Sequence, residues 1–130
     1  MNTEQQLTAL LEDSGVVWQR DLGEIRFRLQ SGGMIWEMAC RCLEDQVLLY
    51  GRYPFRVPPD RRTRALEACA GINSQLTQGG MYLTGEGRAV FRTRAGMEDI
   101  YTARENLDQA LAYNIAVMIR FWGRLAPDTV

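Results

Sequence analysis

The most reactive side chains in this 130-residue sequence are three cysteines, Cys40, Cys42 and Cys69. Thiolates act as nucleophiles and as zinc ligands, but a zinc centre takes four ligands of thiolate or imidazole character, and the chain has no histidine to complete the set. It has no lysine either. All 15 basic residues are arginine, whose guanidinium cannot be deprotonated in a protein, so Schiff-base chemistry and a phosphate-loop lysine are both absent. The serines and threonines consequently lack a conventional activating base. Carboxylates remain: Glu98, Asp99, Glu105 and Asp108 gather around the start of the last helical pattern, where the helix dipole favours acids. The stretch QGGMYLTGEGRAVF is glycine-rich but lacks the lysine and hydroxyl residue of a phosphate loop. Its Gly85-Glu86-Gly87 leads into a strand, where a dinucleotide fingerprint needs a helix N-terminus. These residues predict no catalytic group, no cofactor and no metal, and the cysteines read as small core side chains.

The elements that would position these residues follow from hydrophobic periodicity. Leu7, Leu10 and Leu11 lie at helical spacing over 3–14, with Thr3 as N-cap and Gly15 as stop. Ile25, Phe27 and Leu29 alternate with Arg26, Arg28 and Gln30, and the whole stretch VVWQRDLGEIRFRL reads as one long bent strand or as two. After Ser31-Gly32-Gly33, the residues Met34, Trp36, Met38, Cys40 and Cys42 alternate with Ile35, Glu37, Ala39 and Arg41. Glu44-Asp45 turns the chain into a third strand, QVLLYGRYPF, which Pro54, Pro58 and Pro59 bring to an end. Asp60 then caps a helix with Ala65, Cys69, Ile72 and Leu76 on one stripe, running to about residue 78. A hairpin of MYLT and RAVFRTR follows, and a final helix over 103–125 carries Leu107, Leu111, Ile115, Met118 and Trp122. The prediction is one α+β domain over residues 1–130, an antiparallel five-stranded sheet flanked by helices in the order α-β-β-β-α-β-β-α.

With 46% hydrophobic and 24% charged residues, the composition is that of an ordinary globular protein, and no apolar run approaches the roughly 20 residues that cross a bilayer. The polar, acidic start MNTEQQLTALLEDSG is unlike a secretory signal, so a cytoplasmic protein with reduced thiols and no membrane partner is expected. Charge is unevenly spread. Residues 1–51 hold four arginines against eight acids, residues 52–94 eight against three, and residues 95–130 three against five. The basic middle reads first as a solvated face, and as a binding surface it suits an acidic protein segment better than nucleic acid, because the isoelectric point near 5.5 is far below that of typical nucleic-acid binders. The last helix adds surplus apolar surface: Ala112, Ala116, Val117 and Phe121 lie away from its first stripe, to be covered by the same chain or by a partner.

The order of elements, together with the stretch from Val57 to Arg94, resembles the YbjN family. The resemblance is carried by Val57-Pro58 before the middle helix, Ile72-Asn73 late in it, Gly79 or Gly80 leading into the fourth strand, and Phe91-Arg92 in the fifth. It implies the fold of type III secretion chaperones, homodimers, and a chaperone-like or sensory-regulatory role without catalysis. Asn73 reads as a structural amide that bonds backbone. The reading is therefore a protein-binding module, chaperone-like or a regulatory adaptor. Its contact candidates are Trp36, Tyr53, Phe55, Arg92 and Trp122, since Trp, Tyr and Arg dominate binding energy at interfaces. The alternative is a small-ligand-sensing domain, which predicts a closed pocket lined by those aromatics with one or two arginines converging.

Overall fold

The computed structural model describes residues 1–127. Helix α1 (Thr3–Asp13) precedes four strands, β1 (Trp18–Asp21), β2 (Glu24–Ser31), β3 (Met34–Cys42) and β4 (Gln46–Arg56). A 3₁₀ turn (Pro59–Arg61) leads into α2 (Arg62–Asn73). The hairpin β5 (Gly80–Leu83) and β6 (Arg88–Gly96) follows, and then α3 (Ala103–Arg120) and the short α4 (Trp122–Leu125). The strands form one antiparallel sheet in the order β1-β2-β3-β4-β6-β5.

The α+β class and the antiparallel sheet agree with the prediction, but the sheet has six strands where five were expected. The segment from Val16 to Leu29 folds back on itself. Asp21 pairs with Glu24 around a two-residue turn in which both Leu22 (φ 52°) and Gly23 (φ 77°) occupy the left-handed region. Such a turn matches the right-handed twist of its strands and usually carries Asn-Gly or Asp-Gly. Leucine at the first position hides that signal.

Helix starts and stops differ for local reasons. Asn2, not Thr3, caps α1. Its Oδ1 accepts from the Gln5 N–H at 2.8 Å while Gln5 Oε1 accepts from the Asn2 N–H at 2.9 Å, a reciprocal pair that satisfies two otherwise orphaned donors. Thr3 is buried, and its hydroxyl donates to the Leu43 carbonyl at 2.7 Å. Asp60 sits in the 3₁₀ turn and gives α2 no side-chain cap. Helix α2 stops at Asn73, which leaves Leu76 in the following loop, half-buried against the core. The last predicted helix breaks at Phe121, where φ −103° and ψ 8° leave helical geometry and start α4.

Every helix lies on one face of the sheet. Ile25 and Phe27 of β2, Met38 and Cys40 of β3, Val47 and Leu49 of β4 and Ala95 of β6 pack under α1 and the first half of α3. Trp36, Tyr53, Met81 and Phe91 pack under α2, α4 and the second half of α3. The face of α3 that meets the sheet is Ala103, Leu107, Ala110, Asn114, Val117 and Met118. Leu111 and Ile115 of the predicted stripe lie on its flank, half-buried, and Trp122, also half-buried, opens α4. Val117 and Phe121 of the surplus apolar set point into this core, so the chain itself covers them and leaves Ala112 and Ala116 exposed.

A buried asparagine seats α3. Asn114 is fully buried, and its Nδ2 donates to Leu49 O at 3.3 Å, Phe91 O at 3.1 Å and Thr93 Oγ1 at 3.1 Å. These bonds tie the helix to β4 and β6 at once. The close approach requires Gly51 beneath it, because a Cβ there would lie 2.6 Å from Asn114 Oδ1.

Candidate functional site

Strand alternation decides what the second sheet face presents. The arginines that face away from the helices are Arg26 and Arg28 on β2, Arg41 on β3, Arg52 and Arg56 on β4, and Arg88, Arg92 and Arg94 on β6, and they share that face with Glu24, Glu37, Tyr50 and Val90. Among the described residues no element covers this face. Arg26 bonds Glu24 at 2.8 Å and Asp21 at 3.0 Å, and the Glu24 contact raises the arginine's pKa. Arg56 meets Glu86 at 3.4 Å and Arg94 meets Glu98 at 3.5 Å. Arg28, Arg41, Arg88 and Arg92 have no carboxylate within salt-bridge distance among the described residues. Counting charge along the chain locates the basic middle; the fold adds Arg26, Arg28 and Arg41 and gathers them with Arg52, Arg56, Arg88, Arg92 and Arg94 on one surface, while Arg61, Arg62 and Arg64 belong to the 3₁₀ turn and α2.

The five predicted contact residues divide between the two faces. Trp36, Tyr53, Phe55 and Trp122 meet on the covered side. The Trp122 ring lies 6.5 Å from Trp36, 5.6 Å from Tyr53 and 5.3 Å from Phe55, edge-on to each, while Tyr53 and Phe55 stack at 5.3 Å. The Tyr53 hydroxyl donates to Met118 O at 2.9 Å, and burial pushes its pKa far above the ordinary tyrosine value. Trp36 and Tyr53 are core residues; Phe55 and Trp122 are half-buried. Arg92 stands on the open face in line with Tyr50 and Ala39, away from the four aromatics.

Other arginines do approach the aromatic cluster, through an opening that Pro54 creates. The β3–β4 ladder ends at the Glu37–Arg52 pair, where the next outward residue of β4 is Pro54, which has no N–H to donate. Toward β6 the register jumps from Arg52↔Val90 to Arg56↔Arg88, four residues against two, so Tyr53–Phe55 bulge out of the ladder. A depression of about 460 Å³ results. Trp36 and Trp122 reach it from the covered side, Ile35 and Pro54 wall it, and Arg28, Arg52, Arg88 and Glu37 surround its mouth. A second hollow of about 530 Å³ adjoins it over Arg52, Arg88 and Glu86. The Trp36 Nε1–H is buried and has no acceptor among the described residues.

The cysteines stand apart from this site. Cys40 and Cys69 are buried and Cys42 is half-buried. Burial raises all three thiols, Cys42 to about 11 and Cys40 further, which leaves them protonated and poorly nucleophilic at neutral pH. Asn73 also has a structural task. Its Nδ2 donates to Met81 O at 2.9 Å and its Oδ1 accepts from Met81 N at 2.7 Å, so one side chain takes the place of a strand partner on the free edge of β5.

A one-sided antiparallel sheet backed by helices, with the last long helix laid across β4 and β6, is the YbjN fold. The solved structure of YbjN from E. coli, a proposed transcription regulator, is similar with a TM-score of 0.70 and 13% identity, covering 95% of this chain and 96% of that one. An uncharacterized protein from Methanothermobacter thermautotrophicus is similar with a TM-score of 0.52 and 10% identity, covering 95% and 99%. At such identities the likeness is one of fold. No protein-family model and no curated protein matches the sequence. No helix among the described residues is long and apolar enough to cross a membrane.

Proposed function

We propose that this chain is a non-catalytic protein-binding module, a regulatory or chaperone-like adaptor that works in the cytoplasm as a homodimer and receives an acidic segment of a partner protein on its uncovered sheet face. The observation that carries the reading is the arginine array. Four adjacent strands point guanidinium groups at solvent, and four of those groups lack a carboxylate partner among the described residues. Guanidinium binds carboxylate in a planar, two-pronged geometry and is weakly hydrated, which suits a protein interface. Likeness of fold to a proposed transcription regulator supports a regulatory role. The overall charge of −1 and the low isoelectric point favour an acidic polypeptide over nucleic acid. For the dimer, Asn73 and α2 seal the β5 edge, so pairing of two sheets runs through β1, which is flanked by Val17 at 86% and Leu22 at 87% exposure.

Capture from native cytosol tests the reading when wild type is compared with an Arg28→Glu/Arg92→Glu double variant. The expected result is an acidic client that salt releases, that the double variant loses, and that leaves the variant's melting temperature unchanged. A client held equally by the double variant, or retention of nucleic acid in its place, would sink it. Light scattering on the pure protein should report twice the chain mass, and a strict monomer at high concentration removes the dimer from the reading.

A further inference from the structure

We infer that the depression opened by Pro54 between β3 and β4 is a binding site for a small organic anion, a carboxylate or phosphate joined to a flat apolar body. Three independent observations converge there. The first is the Trp36 indole, a donor that cannot accept. It is 2% exposed, lines the depression, and has no acceptor for its Nε1–H among the described residues. Buried donors are almost always paired, so an unpaired one beside an accessible hollow asks for an acceptor from outside.

The second observation is charge. Arg28, Arg52 and Arg88 stand at the mouth with Glu37; Arg52 is paired with Glu37 and, at 3.7 Å, with Glu24, whereas Arg28 and Arg88 have no carboxylate within salt-bridge distance among the described residues and leave two positive charges unmatched there. Glu37 reaches only Arg52, at 3.4 Å. Arg56 and Arg88 are direct cross-strand neighbours, a like-charge pairing that weakens a sheet. Departure from a local stability rule at the rim of a hollow is the pattern expected of a ligand site. The third is shape. Trp122, Ile35 and Pro54 supply apolar surface, and about 460 Å³ lies within the roughly 300–1,000 Å³ usual for small-molecule sites. The anion meets the arginines and the Trp36 N–H, and the flat body lies against the indoles.

This inference stands apart from the protein-binding reading, and its test can fail while that reading holds. Titrate the full chain with 1-naphthoate, 1-naphthyl phosphate and neutral 1-naphthamide, using calorimetry and the indole N–H resonances. One or both anions should saturate, with a downfield displacement of the Trp36 N–H and no displacement of the Trp18 N–H. The arm that binds tighter distinguishes carboxylate from phosphate. The amide, and Arg28→Gln or Arg88→Gln with the better anion, should each bind about tenfold more weakly, the loss expected for one charge-assisted hydrogen bond. Both arginines are surface residues, so the variants should keep the wild-type melting temperature. Failure of both anions to saturate, equal binding of the amide, unchanged affinity in both arginine variants, or a Trp36 resonance that stands still would each overturn the proposal.

Discussion

Placing a methyl group on Gly51 tests how tightly α3 is held to the sheet. The Cβ of Gly51→Ala would lie 2.6 Å from Asn114 Oδ1, 2.8 Å from Met118 Sδ and 2.9 Å from Met118 Cγ. None of these atoms can yield freely. Asn114 is held by three hydrogen bonds, and Met118 is fully buried with its carbonyl engaged by Tyr53. Overpacking costs about 1–3 kcal/mol, and release of the Asn114 amide would add about 1–3 kcal/mol for buried groups left unpaired. Reduced freedom of the unfolded chain returns only about 0.4–1 kcal/mol. The net expectation is a loss of about 2–4 kcal/mol, a large share of the roughly 5–15 kcal/mol that holds a domain folded. Urea unfolding should show it as a lower midpoint at unchanged slope. The same clash predicts coupling with Asn114→Ala, since shortening that side chain makes room for the methyl group. The double variant should be more stable than the sum of the singles predicts, by about 0.5–3 kcal/mol. A Gly51→Ala protein as stable as wild type, or strictly additive variants, would refute this account of how α3 is seated.

Three further outcomes follow from named contacts. Asn73→Ala removes both bonds to Met81 and should cost about 1–2 kcal/mol, with faster exchange of the Met81 amide; unchanged exchange would show that the edge is sealed by something else. Tyr53→Phe deletes the hydroxyl bond to Met118 O and should cost about 1 kcal/mol with the aromatic cluster intact, read by urea midpoint and near-ultraviolet dichroism. Stability should fall as pH rises above about 9. The unfolded chain releases thiol protons from there, whereas Cys40, Cys42 (to about 11) and Cys69 keep theirs in the folded state. The folded form then binds more protons than the unfolded one, so the slope is negative, at most ~1.4 kcal/mol per pH unit for each thiol, and Tyr53 acts in the same sense at higher pH. A urea midpoint that stays flat from pH 8.5 to 11 would contradict that assignment.

The strands from Ile25 to Cys42 were legible because their side chains alternate without interruption and glycine marks the turn between them. Where a local rule was broken, the reading failed. Leu22 in the left-handed region concealed the β1–β2 turn, and Asn114, polar and fully buried, concealed the true inner stripe of α3. Apolar spacing drew attention to Leu111 and Ile115, which lie on that helix's flank, and to Trp122, which falls beyond the break at Phe121 in α4. Aromatic residue type pointed to Trp36, Tyr53, Phe55 and Trp122, and the structure does bring these together. Arg92 was placed with them on residue type alone, and period-2 alternation sends it to the other face. Arg28, Arg52 and Arg88 reach the cluster because β3 and β4 part at Pro54, which was legible as a strand breaker, and because β4 bulges against β6, a pairing between segments far apart in the chain that no local pattern encodes.

The same proline links the two proposals. A continuous ladder between β3 and β4 would have sealed Trp36 beneath the sheet, and the arginine face would then be a plain charged surface with affinity for any acidic segment. With the ladder broken, the face has a place where charge lies beside apolar surface and a donor unpaired among the described residues. An array of exposed guanidinium groups supplies rate and orientation more than selectivity, because such charges are screened by salt and indifferent to sequence. Selectivity needs a position where the wrong group leaves a buried polar atom unpaired. On this sheet that position is the Trp36 indole. A ligand or partner side chain that satisfies it therefore gains more than one that touches the arginines alone.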